Sequence, residues 1–281
     1  MSELNKLTVV QANDLIRQTN WAMDKVPLKL FKAMVAMIDT NNPPQDNTVT
    51  VSKKELVELL DDNRTNYNYL KKKIRGMQTS IRIADDAENE RYVSLVTDIY
   101  WGKNSDNISV TFHKDIMPFL IVTSRFLKYP AADLPRFSTK YGLILFEQLL
   151  SREHQYHSGQ YIISVSDLRW ITGTEKIYGD FNNFEKRVLR AGIDDLNSAG
   201  VEILAKYRKI RTGHVISDIE FTVRKRTSYK EKSYEDVIHP SVLIENKEIP
   251  DEAADPERCP ELEADQISFN FDEEPGQFYN F

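Results

Sequence analysis

Between residues 181 and 196, hydrophobic positions recur with the spacing of a helix. At about 100° per residue, Phe181, Phe184, Val188, Leu189, Ala191, Ile193 and Leu196 fall on one broad arc. Asn183, Lys186, Arg187 and Arg190 fall opposite, at i, i+3, i+4 and i+7, the signature of a single helical face. Glu185 lands inside the apolar arc, and Gly192 and Asp194 interrupt the C-terminal part, so the cationic readout sits in the N-terminal half. Taken alone, the pattern describes any amphipathic helix with a solvated face.

The rest of the chain supplies the context. Residues 8–20 read as an extended entry and a helical turn. Pro27 then stands at a favoured first helical position ahead of Leu28, Leu30, Phe31, Met34, Val35 and Ile38. The loop Asn41-Asn-Pro-Pro-Gln-Asp-Asn47 ends that helix. Val49 and Val51 mark a strand, and Ser52-Lys-Lys-Glu55 is a capping box before Leu56, Val57, Leu59 and Leu60. A third helix sets Tyr67, Leu70, Ile74 and Met77 on one side. Asn68, Tyr69, Lys72, Lys73 and Arg75 cover much of the other. Strands are expected at 80–84, 92–101 and 108–112, the last two joined as a hairpin, followed by a short helix over 113–122 and a linker over 123–136.

This order then repeats. Leu30-Phe31-Lys32-Ala33-Met34-Val35 aligns with Leu145-Phe146-Glu147-Gln148-Leu149-Leu150 at an offset of 115. Val51-Ser-Lys-Lys-Glu55-Leu56 aligns with Ile163-Ser-Val-Ser-Asp167-Leu168 at 112, reproducing the cap. Tyr67-Asn-Tyr-Leu70-Lys-Lys72-Lys73-Ile74 aligns with Phe181-Asn-Asn-Phe184-Glu-Lys186-Arg187-Val188 at 114. Strands at 201–207 and 215–223 close the second copy with another hairpin. The pattern predicts an α+β fold of two tandem winged-helix domains related by internal duplication, at 1–128 and 129–226, with an acidic, disordered tail at 227–281.

Charge supports that division. The chain carries −6 overall, but residues 227–281 hold 4 Lys+Arg against 15 Asp+Glu, so the first 226 residues are net positive by 5. A mildly basic body with an acidic tail is the balance expected of a nucleic-acid binder. The single cysteine, Cys259, excludes an internal disulfide and a cysteine-based zinc cluster. No apolar run approaches the ~20 residues of a membrane helix, and the N-terminus lacks signal-peptide regions, so a cytoplasmic location is expected.

A helix about 10 to 12 Å across fits the major groove, and a hairpin wing lays cations along the neighbouring backbone. Arg pairs with guanine O6 and N7, whereas Lys mostly meets phosphate. These chemistries assign Arg187 and Arg190 to bases, and Lys186, Lys209 and Arg211 to phosphates. Lys206, Arg208 and His214 complete the wing.

Several stretches carry a family resemblance. They are Val10-Gln-Ala-Asn-Asp-Leu-Ile16, Phe137-Ser-Thr-Lys-Tyr-Gly-Leu-Ile-Leu-Phe-Glu-Gln-Leu-Leu150, Phe184-Glu-Lys-Arg-Val-Leu-Arg-Ala-Gly-Ile-Asp-Asp-Leu-Asn197 and Thr212-Gly-His-Val-Ile-Ser-Asp-Ile-Glu-Phe221. Together they resemble the winged-helix replication initiator proteins of iteron-containing, theta-replicating plasmids, from about residue 9 to 226. The resemblance implies that the second unit reads double-stranded iteron DNA through its third helix. It implies that the first unit, through Asn68, Lys71, Lys72, Lys73 and Arg75, makes auxiliary contacts and serves as a dimer interface. It further implies origin opening, recruitment of host replication proteins, and repression of the protein's own gene by dimers at a promoter inverted repeat. In the tail, Gln266-Ile-Ser-Phe269-Asn-Phe271 resembles peptides that dock on the bacterial sliding clamp through Gln266, Phe269 and Phe271.

Competing chemistries find little in the sequence. His154 and His157 lack further clustered ligands, so no metal or other cofactor is expected. Tyr69-Leu-Lys-Lys72 and Tyr229-Lys-Glu-Lys232 fit a nicking pattern, but the paired histidines that such enzymes need do not occur. No phosphate-loop motif occurs either. The protein is therefore expected not to be an enzyme. The alternative is a tandem winged-helix transcriptional regulator without origin activity.

Overall fold

The computed structural model describes residues 6–60, 67–84, 90–227 and 229. The tail residues Gln266, Phe269 and Phe271 and the expected disorder lie outside them. The first unit contains α2 (Lys25–Val35), β2 (Thr48–Ser52), α3 (Lys53–Leu60), α4 (Tyr67–Ile74), the hairpin β3 (Ser80–Ala84) and β4 (Glu90–Ser94), then β5 (Val96–Trp101) and β6 (Asn107–Phe112). The second contains α6 (Lys140–Tyr156), β8 (Gln160–Ser164), α7 (Val165–Ile171), α8 (Phe181–Phe184), α9 (Ala191–Ser198), β9 (Ile203–Thr212) and β10 (Val215–Lys225). Both units are winged helices.

Sheet order makes the duplication visible. The first unit's sheet runs β2-β6-β5 and the second's β8-β10-β9, each with the strand before the second helix paired to the last strand of the wing. The serine caps repeat as well. Ser52 Oγ accepts from the Lys54 backbone N–H at 3.2 Å, and Ser164 Oγ from the Asp167 N–H at 3.0 Å.

Three elements differ from expectation. The run 92–101 is two strands broken at Leu95: β4 pairs with β3, and β5 pairs with β6. An unbroken stretch of β-favouring residues hides that change of partner. The region 113–122 is helical only at α5 (Met117–Leu120). The expected linker 123–136 is ordered: β7 (Phe126–Pro130) pairs antiparallel with β1 (Thr8–Ala12), and a 3-10 helix follows over Ala131–Arg136. Pairing across more than a hundred residues leaves no local signal. The boundary expected at 128 falls inside β7.

The units meet along β1, α1 (Asn13–Gln18), α2 and α6, and a single buried cluster runs from Val9 to Val223. Inside it lies a polar knot. Lys32 Nζ is 2.9 Å from Glu147 Oε2 and donates to Gln11 Oε1 at 2.7 Å, while Gln11 and Tyr129 each donate to Glu147 Oε1 at 2.6 Å. No helix among the described residues is long and apolar enough to cross a membrane.

Candidate nucleic-acid interface

The third helix of the second unit spans residues 181–198 and is not uniform. Glu185–Arg190, between α8 and α9, winds as a π-helix, a wider form that is frequent at functional sites. The expected faces survive the change. Phe184, Val188, Leu189, Ile193 and Leu196 are buried, and Asn182, Asn183, Lys186, Arg187 and Arg190 are exposed.

Asp180 caps the helix, its carboxylate accepting from the Asn183 N–H at 3.1 Å. Arg169, on α7, stacks 4.5 Å from the Phe184 ring centroid and donates to the carbonyls of Ile177 and Gly179, which pins the loop leading into the helix. Arg187 lies 5.7 Å from the ring centroid of Tyr178, which takes φ 56° at the loop's end. Burial pushes the Tyr141 hydroxyl up, and its hydrogen bond with Tyr178 adds to this.

The residues that broke the helical pattern have structural partners. Glu185 is buried against β9, where it accepts from the Tyr207 hydroxyl and from Lys209 Nζ, both at 3.1 Å. Burial and then Glu185 push Tyr207 up, opposed by a hydrogen bond with Arg190. This cluster braces helix to wing. Gly192 allows α9 to approach α6, since a Cβ there would lie 2.7 Å from Leu145 Cδ1. Asp195 accepts from the Ser138 and Thr139 backbone N–H groups, each at 2.8 Å, at the start of α6.

Strand alternation divides the wing cations. Lys209 shares the face of β9 that carries Tyr207 and Ala205 toward the helix, and Arg211 follows it by alternation. Lys206 and Arg208 lie on the opposite face, where Arg208 pairs with the cross-strand Glu220. The four side chains expected to act together therefore occupy two faces. Asn197 locks the wing's base through a reciprocal pair of 2.9 Å hydrogen bonds with the Ala205 backbone.

In the first unit, Asn68, Lys71, Lys72 and Arg75 are exposed on and just after α4. Lys73 is half-buried, with its Nζ 3.4 Å from Asp24. Among the described residues no group of three His, Cys, Asp or Glu could hold a metal ion. His154 instead meets Glu202 at 3.1 Å. Arg169, Tyr178 and Tyr207 escaped the sequence reading because each acts through a partner distant in the chain; only Asp180, three residues before Asn183, had a local capping signal.

Two winged helices in tandem, each with an exposed cationic third helix, define a protein of the DNA-binding class. The chain matches the family model "Initiator Replication protein, WH1" over residues 8–151 and "Initiator Rep protein, WH2" over 164–223, so it belongs to the replication initiator protein family. It is 23% identical over 225 residues to a replication initiation protein of Escherichia coli, covering 77% of this chain and 71% of that one. Its fold resembles the crystal structure of the Pi initiator protein in complex with iteron DNA. That match has a TM-score of 0.64 and 17% identity, and covers 79% of this chain and 99% of the other. The protein is a replication initiator, and the family is not one of known catalytic enzymes. The regulator alternative is not favoured.

Proposed function

We propose that this protein starts plasmid replication by binding repeated origin sequences, iterons, through its two winged helices. The observation that carries this reading is the exposed set Asn183, Lys186, Arg187 and Arg190 on a helix braced by its wing, in a chain of the initiator family. In this reading the helix enters the major groove, Arg187 and Arg190 reach base edges, and Lys186 and Arg211 meet phosphate. Lys209 reaches phosphate while tethered to Glu185. The duplex lies on the helix side of the wing, so Lys206 and Arg208 are left to flanking backbone or to another partner.

The N-terminal unit adds contacts through Asn68, Lys71, Lys72, Lys73 and Arg75 and supplies a dimer interface. Dimers repress the protein's own gene at an inverted repeat, while monomers on the iterons open adjacent AT-rich DNA. Host replication proteins are then recruited in the cytoplasm, among them the sliding clamp through Gln266, Phe269 and Phe271.

Footprinting on the parent replicon tests the proposal. Protection of direct repeats beside an AT-rich segment is expected, and protection confined to a promoter inverted repeat overturns it. On the repeat, Arg187→Ala lowers specific binding by about 1 to 3 kcal/mol and relaxes the preference at one base pair. An equal loss on all sequences reassigns Arg187 to phosphate.

A further inference from the structure

We propose that residues 18–24 are a spacing gauge: they fix the reading helices of the two units to one another and so set the distance between the two DNA segments the protein accepts. The proposal rests on the reading that both units touch DNA.

This short stretch between α1 and α2 is fastened to the second unit where that unit's helix-turn-helix is shaped. The Trp170 indole N–H donates to the Gln18 carbonyl at 2.9 Å. The Ile171 carbonyl, at the end of α7, accepts from the Trp21 backbone N–H at 3.1 Å. That bond satisfies an acceptor which the helix leaves without an internal donor. Asn20 donates to the Glu175 carboxylate at 2.9 Å. Gly173, with φ +65°, lies so close that a Cβ would stand 2.4 Å from Ala22 Cα. The obstacle is backbone on one side and a left-handed conformation on the other, so neither can yield cheaply.

The far end of the same stretch holds the first unit's helix. Asp24 meets Lys73 of α4. Immediately beyond, Pro27 packs so closely on Gly76 that a Cβ there would lie 2.6 Å from Pro27 Cγ. Seven residues thus touch the turn before one reading helix and the end of the other. A link this short and this heavily bonded has little compliance. Each base pair inserted between the two segments would move them apart by about 3.4 Å and rotate them by about a tenth of a turn.

The test uses the full chain and three kinds of duplex: the natural repeat, repeats with one or two base pairs inserted or removed between the protected segments, and a duplex cut down to the second unit's segment. Wild type should lose about tenfold in affinity per altered base pair, the order of one mismatched pair. Gly173→Ala and Trp170→Phe should each lose part of that spacing penalty, since the buried core still joins the units, while binding the shortened duplex within about twofold of wild type, as residues outside the interface should. Trp170→Phe keeps an aromatic ring at the site while removing the indole N–H donor and the fused pyrrole ring, so it carries the test if Gly173→Ala does not fold. Variants that keep the whole penalty overturn the proposal. Variants that lose affinity for the shortened duplex in the same proportion also overturn it, since the residues would then support only their own helix. If spacing is without effect on wild type and only one segment is protected, the reading that both units touch DNA fails, and this proposal with it.

Discussion

Glu147→Gln is expected to be among the costliest single changes in the described chain. Lys32 and Glu147 are each no more than 1% exposed, with Lys32 Nζ also 4.0 Å from the Trp21 ring centroid. Burial lowers the Lys32 pKa against the opposing pull of Glu147, and burial pushes Tyr129 well up with Glu147 reinforcing it. Removing one partner of such a pair costs about 3 to 5 kcal/mol, because the other charge stays buried without compensation. That is much of a typical domain's 5 to 15 kcal/mol. Lys32→Met should cost less than Glu147→Gln, since the carboxylate it leaves behind keeps Gln11 and Tyr129 as donors. An apolar pair, Lys32→Met with Glu147→Met, should recover part of the loss, offset by the acceptors Gln11 and Tyr129 then lack at about 1 to 3 kcal/mol each. Urea unfolding at neutral pH of wild type, Lys32→Met, Glu147→Met and their double closes a mutant cycle. A coupling energy of about 2 kcal/mol or more is expected, and one below about 0.5 kcal/mol refutes the reasoning. The four residues come from β1, α2, β7 and α6, so the knot ties elements of both units into one core.

Glu185→Gln should release Lys209 from its ion pair and remove a negative charge near the phosphates, steepening the salt dependence of DNA binding by about one counterion and raising nonspecific affinity; an unchanged slope counts against the tether. Gly192→Ala gains about 1 kcal/mol of helix propensity but presses on Leu145 and Tyr141, which costs about 1 to 3 kcal/mol, so its melting temperature should fall rather than rise. At Glu202 burial pulls the pKa upward, but His154 and Lys225 outweigh it and the net shift is downward. A carboxylate held low in the folded state contributes stability above its unfolded pKa and loses it as pH falls through the folded value. Wild type should therefore lose more stability between pH 5 and pH 3 than Glu202→Gln, and parallel curves would exclude the ion pair as the cause.

Periodicity and caps carried both winged helices and the exposed face of the reading helix, because each depends on residues a few positions apart. Asn183, Lys186, Arg187 and Arg190 are legible for that reason. What joins elements was not legible. Hydropathy places Lys32 and Glu147 on helices without revealing that they meet, and β7 looks like linker because its partner β1 lies more than a hundred residues away. The residues that broke the rules were more informative than the pattern suggested. Glu185 sits in an apolar arc because it faces a tyrosine and a lysine on the wing, Gly192 interrupts a helix because α6 crosses there, and Asp195 belongs to the cap of another helix. A polar or small residue inside an apolar arc costs stability unless a second element compensates for it. Each such position therefore points to a junction even when the sequence does not say between what, and in this chain the junctions of helix with wing and of unit with unit are where DNA reading would be tuned.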